Sequence, residues 1–264
     1  MKETFVKSTL KYALLLAGLT SLPAMAHIGY GGRDFGTFTG ASASSTITNQ
    51  SITGNYGWID GTDSDWGDSH SVRAYRFTLT SDADVKISFQ EQAFVTSAGA
   101  SISAGILPGF SIYKGLAHLA PFGADFDSTP GSIAIRDAVG GVGLTEGSFR
   151  SLTNWSITNT ANDPASVFTY VGSAYDGSPV DYGTGAIPGA DGLTDHSVSG
   201  VFHLTAGDYS IFVGGSDYAD QLAATHLAYG LAGTVALVPE PETYAMLLAG
   251  LGLIGFSASR RRKL

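Results

Sequence analysis

Four carboxylates stand within nine residues in Asp60-Gly-Thr-Asp63-Ser-Asp65-Trp-Gly-Asp68. Hard oxygens at this density suit Ca²⁺, which takes about six to eight of them. The spacing departs from an EF-hand loop. Counted from Asp63, glycine falls on the fifth position and Asp on the sixth, where the glycine is needed, and no Glu closes the loop. The other reading is a turn in which Asp side chains accept backbone N–H groups. Trp58 and Trp66 flank the cluster and Tyr56 is close in sequence. The same stretch therefore also reads as a sugar platform, with rings on the apolar faces of pyranoses and carboxylates orienting hydroxyls. Alternatively, the aromatics close the end of a sandwich. Asp217-Tyr-Ala-Asp220 is a second, weaker acidic loop.

Catalytic chemistry is poorly provided for. Histidines fall at 27, 70, 118, 196, 203 and 226, with no H-E-x-x-H and no H-x-H among them. Asp195-His196 is the one adjacent acid–base pairing of note. There is no G-x-S-x-G elbow, no P-loop and no cysteine nucleophile. Between the two chain ends only Glu91 and Glu146 remain, although Asp can stand in for Glu in glycoside hydrolysis. No catalytic residue is assigned. The expectation is a non-enzymatic protein, with a secreted hydrolase as the less favoured reading.

Composition narrows the partners. From residue 27 to 237, twenty acidic groups face seven basic ones, a net charge near −13. No basic residue occurs from Ser151 to Ser259. Nucleic acid is excluded as a partner, because nothing could neutralise its phosphates. With no cysteine, disulfides and thiolate metal sites are excluded as well. Asp outnumbers Glu eighteen to two in this region, which favours turns over helices.

The elements that must position these groups alternate with period two. Tyr75, Phe77 and Leu79 share one face of Val72–Thr80. After the turn at Ser81–Asp84, Val85, Ile87 and Phe89 resume the alternation, which reads as a β-hairpin. Val198, Gly200, Phe202 and Leu204, a short turn, then Tyr209, Ile211 and Val213 read as a second one. Further strands are expected at 45–52, 151–157, 166–171 and 227–237, with a strand pair or a broken strand at 102–113. Ala120–Glu146 and Ala174–Thr194 read as loops, Tyr218–Thr225 as a weak helix, and Trp155 as core. Short strands between turn clusters predict an all-β fold, an antiparallel β-sandwich or jelly roll. Residues 27–60 read as a loose arm or a single early strand.

Both chain ends carry targeting features. Lys2, Lys7 and Lys11, the apolar run Tyr12–Leu22 and the small residues Ala24 and Ala26 form a signal peptide over 1–26, cut by signal peptidase before His27. At the other end stand Pro239, Glu240 and Pro241, an apolar run from Tyr244 to Phe256, and Arg260, Arg261, Arg262 and Lys263. The prolines fix φ and remove two donors, and the cationic end acts as a membrane stop. Gly250, Gly252 and Gly255 spell G-x-G-x-x-G inside this apolar run, where it has no dinucleotide meaning. The stretch 238–264 resembles the PEP-CTERM sorting signal of Gram-negative bacteria. That resemblance implies export, a transient inner-membrane anchor, cleavage by an exosortase near the Pro-Glu-Pro, and an association with the cell surface and secreted polysaccharide. The chain thus divides into 1–26, an ectodomain over 27–237, and a sorting tail over 238–264. Leu204-Thr-Ala-Gly-Asp-Tyr209 is similar to the closing hairpin of bacterial pre-peptidase-type β-sandwich modules. No cofactor is expected apart from Ca²⁺ at Asp60, Asp63, Asp65 and Asp68.

Overall fold

The computed structural model describes residues 28–40, 43–59, 65–117, 126–139, 147–160, 163–181, 185–223, 225–239, and positions 249, 251, 253 and 254. The fold is all-β and mostly antiparallel. Its strands are β1 (Asp34–Phe38), β2 (Ser44–Thr53), β3 (Trp66–Asp68), β4 (Arg73–Leu79), β5 (Ala83–Glu91), β6 (Phe94–Val95), β7 (Ser101–Ile102) and β8 (Pro108–Lys114). They continue with β9 (Phe126–Asp127), β10 (Ser148–Arg150), β11 (Trp155–Thr160), β12 (Asp163–Tyr175), β13 (Ser197–Leu204), β14 (Gly207–Gly215) and β15 (Ala228–Val238). Among the described residues, the helices α1 (Pro130–Val139) and the single turn α2 (Tyr218–Gln221) lie between them.

A seven-stranded sheet runs β1-β4-β14-β8-β12-β11-β9, and a four-stranded sheet runs β13-β5-β15-β2. Their facing sides make the first core. Tyr75, Phe77 and Leu79 meet Val85, Ile87 and Phe89 across it, with Phe110, Ile112, Ile211, Leu231 and Val235 filling the middle. Phe77 and Tyr209 are cross-strand partners and stack at 5.1 Å.

Both expected hairpins are corrected here. β4 and β5 do not pair with each other, and neither do β13 and β14. Each chain segment crosses from one sheet to the other. β4 pairs with β14 in the larger sheet, while β5 pairs with β13 in the smaller. Two such arches lie side by side. Period-two patterning cannot separate an arch from a hairpin, because in both cases the apolar set faces one core.

The larger sheet is buried on its other face too. Tyr113, Phe149, Trp155, Phe168 and Phe212 cluster there, with Trp155 stacked on Phe168 at 4.8 Å and Phe212 edge-on to Trp155 at 5.4 Å. This explains β8 and β14, whose residues are buried on both sides with little alternation. In β12 the register shifts between Tyr170 and Gly172. The resulting bulge flips parity, so Phe168 joins the second core and Ala174 the first.

Further corrections follow. Residues 27–60 are no loose arm within the described positions, since β1 and β2 enter different sheets. Over 102–113, β7 pairs with β6 while β8 lies in the larger sheet, so the two are not a pair. Loop-rich 120–146 contains β9 and α1. Trp155 is core, as expected, at 1% exposure. No helix among the described residues is long and apolar enough to cross a membrane.

The second core yields a stability prediction. Phe212→Ala should cost about 3–5 kcal/mol in urea unfolding followed by tryptophan fluorescence. His203→Ala, on the solvent face of β13, should cost less than about 0.5 kcal/mol. Equal losses from the two would contradict the double-faced sheet.

Candidate functional site

The expected platform around Trp58 is turned inward. Trp58 is 1% exposed and lies over Gly109, where a Cβ would strike its ring. Its Nε1 donates to Ser111 Oγ at 2.7 Å, and Ser151 Oγ donates to its carbonyl. Trp58 N donates to Gly215 O at 3.1 Å and Gly215 N donates to Tyr56 O at 3.1 Å, which pins the segment to β14. Gly215 has no side chain because Asn55 occupies that space. Trp66 is covered by the Arg150 guanidinium, 3.7 Å above its ring, and Tyr56 is tilted against His226 at 4.7 Å. The three aromatics do not form one exposed strip, so a sugar-stacking site at Trp58, Trp66 and Tyr56 is not what this geometry offers.

The acidic run does structural work where it is described. Asp65 accepts from Leu152 N at 2.8 Å, Thr153 Oγ1 at 2.6 Å and Arg150 at 3.2 Å, tying β3 to the segment after β10. Asp68 accepts from His70 N and Ser71 Oγ. Burial pushes the Asp68 carboxyl up, but the bonds from His70 and Ser71 outweigh it and hold it below the usual carboxylate range. Asp60 and Asp63, the other two carboxylates of the expected calcium loop, lie outside the described residues.

Asp127, absent from the sequence-based candidates, is fully buried beside Arg150, 3.7 Å from its Nε. It accepts from Thr129 and from Ser132 Oγ. Burial dominates, and its carboxyl sits above the ordinary value despite these partners.

A different acidic group comes together between the end of β12 and the start of β13. Oxygen atoms of Asp176, Asp191 and Asp195 lie within 4.8 Å of one another. Asp176, at the end of β12, is 3% exposed and accepts from the N–H groups of Asp195 at 3.1 Å and His196 at 2.8 Å. Asp191 accepts from Gly177 N and Leu193 N. Burial raises the Asp176 carboxyl, the two N–H bonds lower it, and the charges of Asp191 and Asp195 raise it again; it ends above the ordinary value. Three such oxygens could hold a metal ion. No short-range spacing rule joins Asp176 to Asp191 and Asp195, so the sequence offered only the loop's density of Asp.

The Asp195-His196 pair diverges. The His196 ring bonds Ile106 O at 3.0 Å, and its backbone is in the left-handed region at φ 63°. His203 pairs with Asp84 across β13 and β5, exposed, and His70 with Asp68 within one turn. His226 lies 3.8 Å from Asp220. Asp217 caps α2, and Asp220 accepts from Asn55 N at 2.6 Å, so the second acidic loop also serves the backbone. Pro239 directly follows β15. Ala24, Ala26, Glu240, Pro241, Arg260, Arg261, Arg262 and Lys263 lie outside the described residues.

Comparison with known proteins places the tail. Residues 237–263 match the PEP-CTERM protein-sorting motif, which implies an exported precursor held at the membrane and processed by an exosortase. No curated protein matches the chain. Among solved structures it is similar to CorA, a surface-associated copper-binding protein of Methylomicrobium album BG8 (13% identity, 77% of this chain and 98% of that one, TM-score 0.44). It is also similar to secreted MopE of Methylococcus capsulatus (14% identity, 80% and 100%, TM-score 0.36). Similarity to the pre-peptidase C-terminal domain of a Bacillus anthracis collagenase is weak (9% identity, 77% and 92%, TM-score 0.24). Likenesses this distant carry no argument about ligands.

Asp176 supplies a pH test. A carboxyl raised on folding adds stability below its unfolded pKa and loses it as pH climbs through the folded value. Asp176→Asn removes this contribution, while Asp68 and Asp127 titrate alike in both proteins. The melting temperature of the variant relative to wild type should therefore be highest near pH ~7 and fall as pH drops toward ~4. A difference that is flat with pH, or reversed, would contradict the raised carboxyl.

Proposed function

We propose that the chain is an exported, non-enzymatic protein of the cell surface or exopolysaccharide matrix, whose processing event is cleavage by an exosortase at Pro239, Glu240 and Pro241. The observation carrying this reading is the PEP-CTERM motif at 237–263. In this reading signal peptidase removes 1–26, and the ectodomain 27–237 stays tethered through the apolar run until the cut. Arg260, Arg261, Arg262 and Lys263 keep the tail end cytoplasmic meanwhile. The end of β15 at Val238 supports a cut there, because the domain retains all its strands after the tail leaves.

A second reading rests on the Asp176, Asp191 and Asp195 oxygens: a calcium-binding sandwich module. Three carboxylates crowded together repel one another, and a divalent cation converts that repulsion into attraction.

Two experiments test these readings. In the native host, replacing Pro239, Glu240 and Pro241 with alanine should leave a precursor with its tail intact in the inner membrane; an unchanged mature mass and location would reject the sorting reading. For the second, ~5 mM Ca²⁺ should raise the melting temperature of the wild type and leave Asp191→Asn unmoved. A midpoint identical with calcium and with chelator would reject it.

A further inference from the structure

In a chain this acidic, two arginines without a carboxylate partner among the described residues stand out. Arg33 and Arg73 line one small cavity of about 50 Å³, together with Ile28, Ser69, Val72 and Phe212. Among the described residues neither guanidinium meets an acidic group. Arg33 donates to Ala74 O at 3.0 Å and Gly29 O at 2.6 Å, and Arg73 donates to Ser51 O at 2.8 Å and Val72 O at 3.3 Å. Each has five N–H donors, so each keeps roughly three for something else. The other arginines with described side chains are neutralised: Arg76 pairs with Asp34 at 2.6 Å, and Arg150 with Asp65 and Asp127.

Ser69 supplies an independent observation. It is 8% exposed, its hydroxyl has no hydrogen-bond partner among the described residues, and it lines the same cavity. A buried hydroxyl without a partner is destabilising, so its retention beside two unneutralised cations calls for an acceptor. Burial and mutual repulsion lower the Arg73 guanidinium from its ordinary value, and burial lowers Arg33. An anion seated between them offsets both effects by its attraction for the two charges. The donors are all N–H and O–H, which selects an acceptor-only ligand, and a forked guanidinium pair matches the flat edge of an oxyanion.

We propose that Arg33, Arg73 and Ser69 form a binding site for a small oxyanion group, of carboxylate, sulfate or phosphate size. Its source is either the free inorganic ion or the acidic group of a sugar. The proposal is independent of where the chain is sorted.

The test is calorimetry on the full chain in a neutral detergent, titrated with sodium phosphate, sodium sulfate and oligogalacturonate, with sodium chloride and neutral galactose as controls. At least one oxyanion should bind at one site per chain while the controls do not. Ser69→Ala, which removes one oxygen and should fold normally, should weaken binding about three- to tenfold. Arg73→Lys, which keeps the charge but loses the fork, should weaken it about tenfold or more. Arg76→Gln, outside the cavity, should leave it unchanged. Tighter binding of oligogalacturonate than of phosphate identifies an acidic sugar as the source, and the opposite order a free ion; both support the site. Binding of no oxyanion at ~10 mM, or equal affinity in wild type, Ser69→Ala and Arg73→Lys, would overturn it.

Discussion

Strand β15 is the interaction on which the rest depends. It bonds β5 along one edge and β2 along the other, with register pairs running from Leu231 with Glu91 to Val238 with Asp84. Without it the smaller sheet separates into β13-β5 and an isolated β2. The chain can add nothing more to this strand, because the next residue, Pro239, has no N–H and a fixed φ. Fold and address thus meet at the end of this strand. The proline that opens Pro-Glu-Pro directly follows the strand, and the motif match at 237–263 overlaps the last two residues of β15.

The sheet opposite has two apolar faces and needs two covers. The first is the smaller sheet. The second is assembled from pieces distant in sequence, the segment around Trp58 and the β3–β10 ribbon that carries Phe149, set against the sheet's own Trp155, Phe168 and Phe212. Asp65 and the Trp58–Ser111–Ser151 bonds hold that cover in place. The polar groups of Trp58 and Asp65, which a surface site would present to solvent, are bonded inside the protein instead.

Most strands were legible in the sequence, and their partners were not. The alternation Tyr75-Phe77-Leu79 and Val85-Ile87-Phe89 gave the faces correctly, since both sets lie in one core. Pairing depends on where a chain turns in space, and Ser81–Asp84 reads the same in an arch as in a hairpin. α1 was masked by Gly131 and Ser132, poor helix formers, although Pro130 at its first position is a usable signal. Of the acidic candidates, Asp65 and Asp68 were read for chemistry and proved to be ties. Asp176, Asp191 and Asp195 meet only because the loop folds back on the end of β12, and no local spacing announces that.

The most direct measurement is the mass and terminal peptide sequence of the wild-type protein recovered from the surface fraction of its native host. The account predicts a chain that starts near His27, retains β15 through Val238, and lacks the apolar run and the basic end. A protein found whole in the cytosol, or one whose cut falls before Ala228 and removes β15, would contradict it.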